Sequence, residues 1–289
     1  MSAEALDPGE DYDPGDDHDP GDDHDVIHHT PPWSPPVSSV RSRISVELVP
    51  RSVEALREDV RTVQHHLDDV DTINVPDLTK FEMTSWDACA LAKETASAYS
   101  TIPHIRAQDL DPAHALPMVR ALERAEITEI LIISGDPSDD APEEAPGVSA
   151  LDAIARIRRE LPHVQVYAGL DPYRQAPWRE VQYAEQKLAA GATGFFTQPF
   201  FDVALMQAWA AMIPAGVPVW WGTTTVTTAA SQRYWRTVNR AVFPTDFELT
   251  LEWQRAYAAR AVSFARTRNQ HIYMMPVSVD VRDYLDGVV

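Results

Sequence analysis

The sequence predicts a (β/α)8 barrel, and three observations carry that expectation. From residue 44 onward, eight short apolar runs alternate with longer amphipathic segments, the pattern of repeated βα units. A chain of 289 residues with 44% hydrophobic content can enclose one large core. No G-x-G-x-x-G follows the first strand-like run, so the signature of an open doubly wound sheet is missing.

The elements follow in order. Strands are read in ISVELV (44–49), TINVP (72–76), IPHIRA (102–107), EILIIS (129–134), VQVYAG (164–169), GFFTQ (194–198), VPVWWG (217–222) and HIYMMP (271–276), each rich in β-branched or aromatic residues. Helices fill the gaps at 52–67, 113–124, 150–161, 178–190 and 203–212. The seventh unit is the longest, with helical patterns at 231–240 and 249–268, so extra helix is expected to cover the barrel there. The barrel domain spans 41–289.

Residues 1–40 are read as a tail and linker. Residues 7–25 repeat a DPG[ED]D[YH] hexad whose Pro, Gly and like charges cannot bury enough apolar surface to offset ordering entropy, which predicts disorder. His18, His24, His28 and His29 raise weak divalent-metal binding as an alternative, but no rigid scaffold fixes a ligand geometry, so no metal site is expected. TPPWSPPVSS, at 30–39, reads as a stiff extended linker.

The first 30 residues contribute 11 of the 44 acidic side chains and no Lys or Arg, toward a net charge of −20. Such a chain should repel nucleic acid and anionic membrane. It contains no apolar run of the ~20 residues a membrane helix needs, and its N-terminus is acidic where a secretory signal is basic, so a cytoplasmic location is expected. The single cysteine, Cys89, lies on a helix-like segment and reads as a small buried hydrophobe. The choice between monomer and homo-oligomer stays open.

In this fold chemistry occurs where strands end, so polar residues late in strands are informative. Glu47 interrupts an apolar first strand between Val46 and Leu48. Desolvation there raises a carboxyl pKa, as a general acid near neutrality requires; a buried ion pair is the alternative. Asp136 follows LIISG and is equally a turn residue in SGDPSDD. Gln198 ends the sixth strand, where an amide can pair with a heterocycle edge or cap a loop.

Four separated motifs in order then bring out a resemblance. SVELVPR, PHI, SGD and KLAAGATGFFTQPFFD resemble the motifs of the methylenetetrahydrofolate reductases from about residue 44 to the C-terminus. The resemblance implies reduction of 5,10-methylenetetrahydrofolate to 5-methyltetrahydrofolate by hydride transfer. It assigns proton donation to N10 to Glu47, stabilisation of the resulting cation to Asp136, and a hydrogen bond to the pterin to Gln198. Phe200 would help to wall the substrate site, whereas Phe195 and Phe196 would mainly pack. His104, Tyr167 and Lys187 are what remains of the family's cofactor contacts.

Other family positions differ. NVPDL replaces a V-T-Y-G segment, Ser134 stands for an Arg, Asp171 for an imidazole that faces phosphate, and Gln186 for another Arg. Ala229 stands where the family stacks a Phe on ligand rings, with Trp220, Trp221 or Tyr273 as replacements. A carboxylate ~4 Å from a diphosphate costs about 4 kcal/mol at an effective dielectric of ~20. FAD is therefore doubtful, and the chain looks like the divergent, flavin-independent actinobacterial-type members, with NADH or NADPH reducing the folate directly. Two alternatives remain: an FAD-dependent enzyme with a remodelled site, and a folate-binding barrel without turnover.

Overall fold

The computed structural model describes residues 41–135 and 148–289. Eight parallel strands close in sequence order into a barrel: β1 (Ile44–Glu47), β2 (Thr72–Val75), β3 (Ser100–Arg106), β4 (Glu129–Ile133), β5 (Gln165–Leu170), β6 (Gly194–Pro199), β7 (Val219–Thr224) and β8 (His271–Met275). The surrounding helices are α1 (Val53–His66), α2 (Ser85–Thr95), α3 (Val119–Arg124), α4 (Ala150–Glu160), α5 (Pro177–Ala189), α6 (Val203–Ala210), α7 (Ala229–Thr237), α8 (Leu251–Thr267) and α9 (Val281–Leu285). The expected (β/α)8 architecture is the one observed, and α7 and α8 both lie between β7 and β8.

Strand periodicity divides each strand between two cores. Ile44, Val46, Ile73, Val75, Ile130, Ile132, Val166, Ala168, Phe195, Val219, Trp221, Ile272 and Met274 face outward and pack with the helices. Ile102, Leu131, Tyr167, Phe196, Trp220, Tyr273 and Met275 point inward and fill the barrel. Helix starts are fixed by side chains accepting backbone N–H groups, for example Ser52 for α1, Ser149 for α4, Asp202 for α6 and Thr250 for α8. The N-terminal end of the barrel is closed by a polar plug. Arg43 donates to Glu129 at 2.7 and 3.0 Å and to Thr72 at 2.8 Å, and its guanidinium lies 4.9 Å from the Trp220 ring centre.

Several boundaries depart from the sequence expectation. The helix expected over 113–124 shortens to α3, while the helix-like segment around Cys89 forms α2, whose small residues Ala88, Cys89 and Ala92 give little amphipathic contrast but allow close packing. Strand seven lies two residues later than its apolar run, because Thr223 and Thr224 are β-branched and wholly buried. Cys89 is fully buried, and burial raises its thiol pKa, in keeping with a packing role. The acidic repeat, its histidines and Asp136 lie outside the described residues.

Candidate active site

The C-terminal ends of the strands surround a cavity of about 460 Å³. Glu47 enters from β1, His104 from β3, Gly169 from β5 with Asp171 just beyond it, Gln198 from β6, and Tyr273 from β8. Their positions follow from the two-residue alternation. Ser45 and Glu47 share the inward face of β1, as Phe196 and Gln198 share that of β6 and His271, Tyr273 and Met275 that of β8.

Glu47 is the titratable centre. Burial raises its carboxyl pKa to about 7, and a hydrogen bond from the Tyr273 hydroxyl to Oε2 partly offsets that rise. Among the described residues no cation bonds the Glu47 side chain, so the structure lacks the ion pair that was the alternative reading of this residue. The arrangement is a carboxyl that holds its proton up to neutral pH and opens on a cavity at the strand ends.

His104 is 5% exposed, and burial lowers its pKa to about 3, so the ring is neutral. Its Nε2 lies 3.3 Å from Nδ2 of Asn74, whose Oδ1 accepts a hydrogen bond from the Ser45 hydroxyl. The inward face of β2 thereby orients the imidazole. Across the cavity, Lys187 of α5 donates to the Gly169 carbonyl at 2.6 Å and lies 3.9 Å from Glu180. Burial lowers its ammonium pKa to about 8, with Glu180 opposing the shift. Glu180 is fully buried and also accepts from Arg174 at 2.6 Å, Gln175 at 2.8 Å and the Asp171 N–H at 3.2 Å. The Asp171 carboxyl accepts from the Tyr173 N–H at 2.9 Å, and burial raises its pKa.

The structure thus brings Glu47, His104, Lys187 and Gln198 to one cavity, and sets Tyr167 and Phe200 elsewhere. The Tyr167 hydroxyl donates to Glu129 at 3.0 Å in the plug at the opposite end of the barrel. Phe200 is fully buried outside the barrel, its ring centre 5.6 Å from that of Trp221 and 6.2 Å from that of Tyr173. The aromatic of this stretch that lines the cavity is Phe196, the reverse of the sequence expectation. The cause is a register shift between Phe196 and Pro199, which turns the residues after Gln198 away from the barrel axis. Of the candidates to replace the family's stacking Phe, Tyr273 lines the cavity, Trp220 fills the barrel below it, and Trp221 packs outward. Sequence reasoning gave Asn74 and Arg174 no role, and Tyr273 none beyond stacking. Alternation counted back from Met275 places Tyr273 inward, but its bond to Glu47 depends on the pairing of β1 with β8.

A carboxyl with a raised pKa opens on a cavity at the C-terminal rim of a (β/α)8 barrel, the end where active sites of this fold lie. The chain belongs to the methylenetetrahydrofolate reductase family, whose model matches residues 44–260. No curated protein sequence matches it. Among solved structures, it is similar to an uncharacterized protein from Clostridium thermocellum that binds two copies of 5-methyl-5,6,7,8-tetrahydrofolic acid, with 11% identity, 86% of this chain and 94% of that one covered, and a TM-score of 0.54. It is also similar to 2,3-dimethylmalate lyase, at 10% identity, 83% and 76% coverage and a TM-score of 0.53. Oxaloacetate acetylhydrolase gives 10%, 81% and 75%, and 0.52. At these identities the likenesses show the fold.

Proposed function

We propose that this family member reduces 5,10-methylenetetrahydrofolate to 5-methyltetrahydrofolate with NADH or NADPH, passing hydride directly from the nicotinamide to the folate. The observation that carries the reading is Glu47, a proton-holding carboxyl with its pKa near 7, opening on the cavity. Glu47 gives its proton to N10 as the bond from N10 to the methylene carbon breaks, leaving a methylene iminium at N5. Hydride from nicotinamide C4 then reaches that carbon, producing the methyl group and the oxidised nicotinamide. Gln198, on the far side of the cavity, reads the pterin edge, and neutral His104 supplies a polar contact to the ring stack without adding charge. Asp136 keeps the role its motif implies, stabilising the cation.

What supports reduction without flavin is the β5–α5 rim, where the resemblance puts the family's flavin-diphosphate contacts: there Arg174 is bonded to Glu180 and Lys187 is engaged by Gly169 and Glu180, and the nicotinamide dinucleotide keeps its own diphosphate away from that rim. Asp171 adds a carboxyl to the same wall. The protein's tasks in direct transfer are protonation, charge stabilisation and holding two rings in contact. An absorbance spectrum of purified protein combined with an NADH-oxidation assay tests this. Colourless protein that oxidises NADH only when methylenetetrahydrofolate is present fits the proposal; a bound isoalloxazine spectrum, or activity that requires added flavin, overturns it.

A further inference from the structure

β8 brings to the cavity a phenol that none of these roles uses. Tyr273 is 5% exposed, and its ring makes edge contacts with Phe196 at 5.3 Å and His104 at 6.1 Å between centres. The β1–β8 register pairs Tyr273 with Ser45, two residues before Glu47, so the phenol extends along the barrel interior toward the rim and donates to Glu47 Oε2. We infer that Tyr273 is a positioning residue for proton transfer, engaging Oε2 of Glu47 so that Oε1 carries the proton and presents it to the cavity. The inference rests on the reading of Glu47 as proton donor.

The physical case is one of differential strength. While Glu47 is protonated, the phenol bonds a neutral carboxyl; once the proton leaves, the same bond is charge-assisted and stronger. A bond that strengthens as charge develops lowers the barrier instead of merely tightening binding. The other polar groups around Glu47 do not duplicate it. β2 presents uncharged Asn74 and β3 presents neutral His104. Across the cavity β6 presents uncharged Gln198, and Asp171, Arg174 and Lys187 are each bonded to partners of their own. Among the described residues Tyr273 alone hydrogen-bonds the Glu47 side chain.

The test is the pH profile of turnover in Tyr273→Phe and in protein carrying 3-fluorotyrosine at 273, a stronger donor of nearly the same shape. The Phe variant should lose about tenfold in kcat on its acid plateau, and its alkaline limb should move up by about one pH unit, with folate KM little changed. Fluorotyrosine should move the limb down and keep the fold. Limbs that stay in place in both, or kcat and binding lost in equal measure, would overturn the positioning role. Titration of the ¹³C-labelled Glu47 carboxyl in ligand-free protein separates this inference from the proposed reaction. A Glu47 titration that responds to position 273 in a protein without reductase turnover sinks the reaction and keeps the coupling. An unresponsive one in an active reductase does the opposite.

Discussion

The role proposed for Glu47 comes with a stability penalty. Replacing it with Gln keeps the shape and removes the transferable proton, so turnover should fall by about 10² to 10⁴-fold while folate and NADH still bind. The same change should stabilise the protein at alkaline pH. A carboxyl whose pKa is raised from 4.5 to about 7 contributes fully to stability below pH 4.5, and that contribution is lost as pH rises through 7. Above pH 7 the ionised group costs about 2 to 3 kcal/mol, the upper figure applying if the cavity admits little water. Glu47→Gln should therefore melt higher than the parent at pH 8 and close to it at pH 4; equal melting shifts at both would contradict a buried, proton-holding carboxyl. Gln198 belongs to the same scale. Gln198→Glu removes an amide donor and leaves a pterin acceptor unpaired, weakening folate binding by roughly 1 to 3 kcal/mol and NADH binding by less. Titrations of the two ligands that weaken equally would place Gln198 away from the pterin.

At the scale of elements, close approach of backbones shapes the site. A Cβ on Gly222 of β7 would lie 2.6 Å from the Thr197 carbonyl of β6, beside the register shift between Phe196 and Pro199. One on Gly169 of β5 meets nothing within 4 Å. Gly222→Ala should cost about 1 to 3 kcal/mol of stability by overpacking, whereas Gly169→Ala should leave thermal melting nearly unchanged and weaken ligand binding by filling the cavity. Similar melting losses in the two variants would show that Gly169 is not beside open space. These positions also show what was legible. Glu47 and Gln198 could be read as rim residues because strand periodicity and the fold's active-site rule locate them from sequence. Phe196 and Phe200 were exchanged because a bulge changes which way a side chain points without changing composition. The Tyr273–Glu47 bond joins residues 226 apart, and its partners become evident only once the barrel closes.

For the molecule as a whole, eight βα units were legible because each repeats the same change of period, and closure followed from their number. α2 was legible only as a helix-like segment around Cys89, because its small residues give it little amphipathic contrast. The acidic repeat contains no pattern capable of core burial, so deleting residues 1–36 should leave the melting temperature and turnover close to those of the full chain. A large drop in either would assign the tail a structural role.

The central claim is that hydride passes to the folate without a flavin relay, and isotope transfer tests it most directly. With NADH deuterated at the transferred C4 position, direct passage predicts 5-methyltetrahydrofolate carrying the deuterium in its methyl group, at nearly one label per turnover. A reduced flavin would exchange its N5 hydrogen with water before passing it on. A methyl group carrying solvent hydrogen in place of the label would contradict the account.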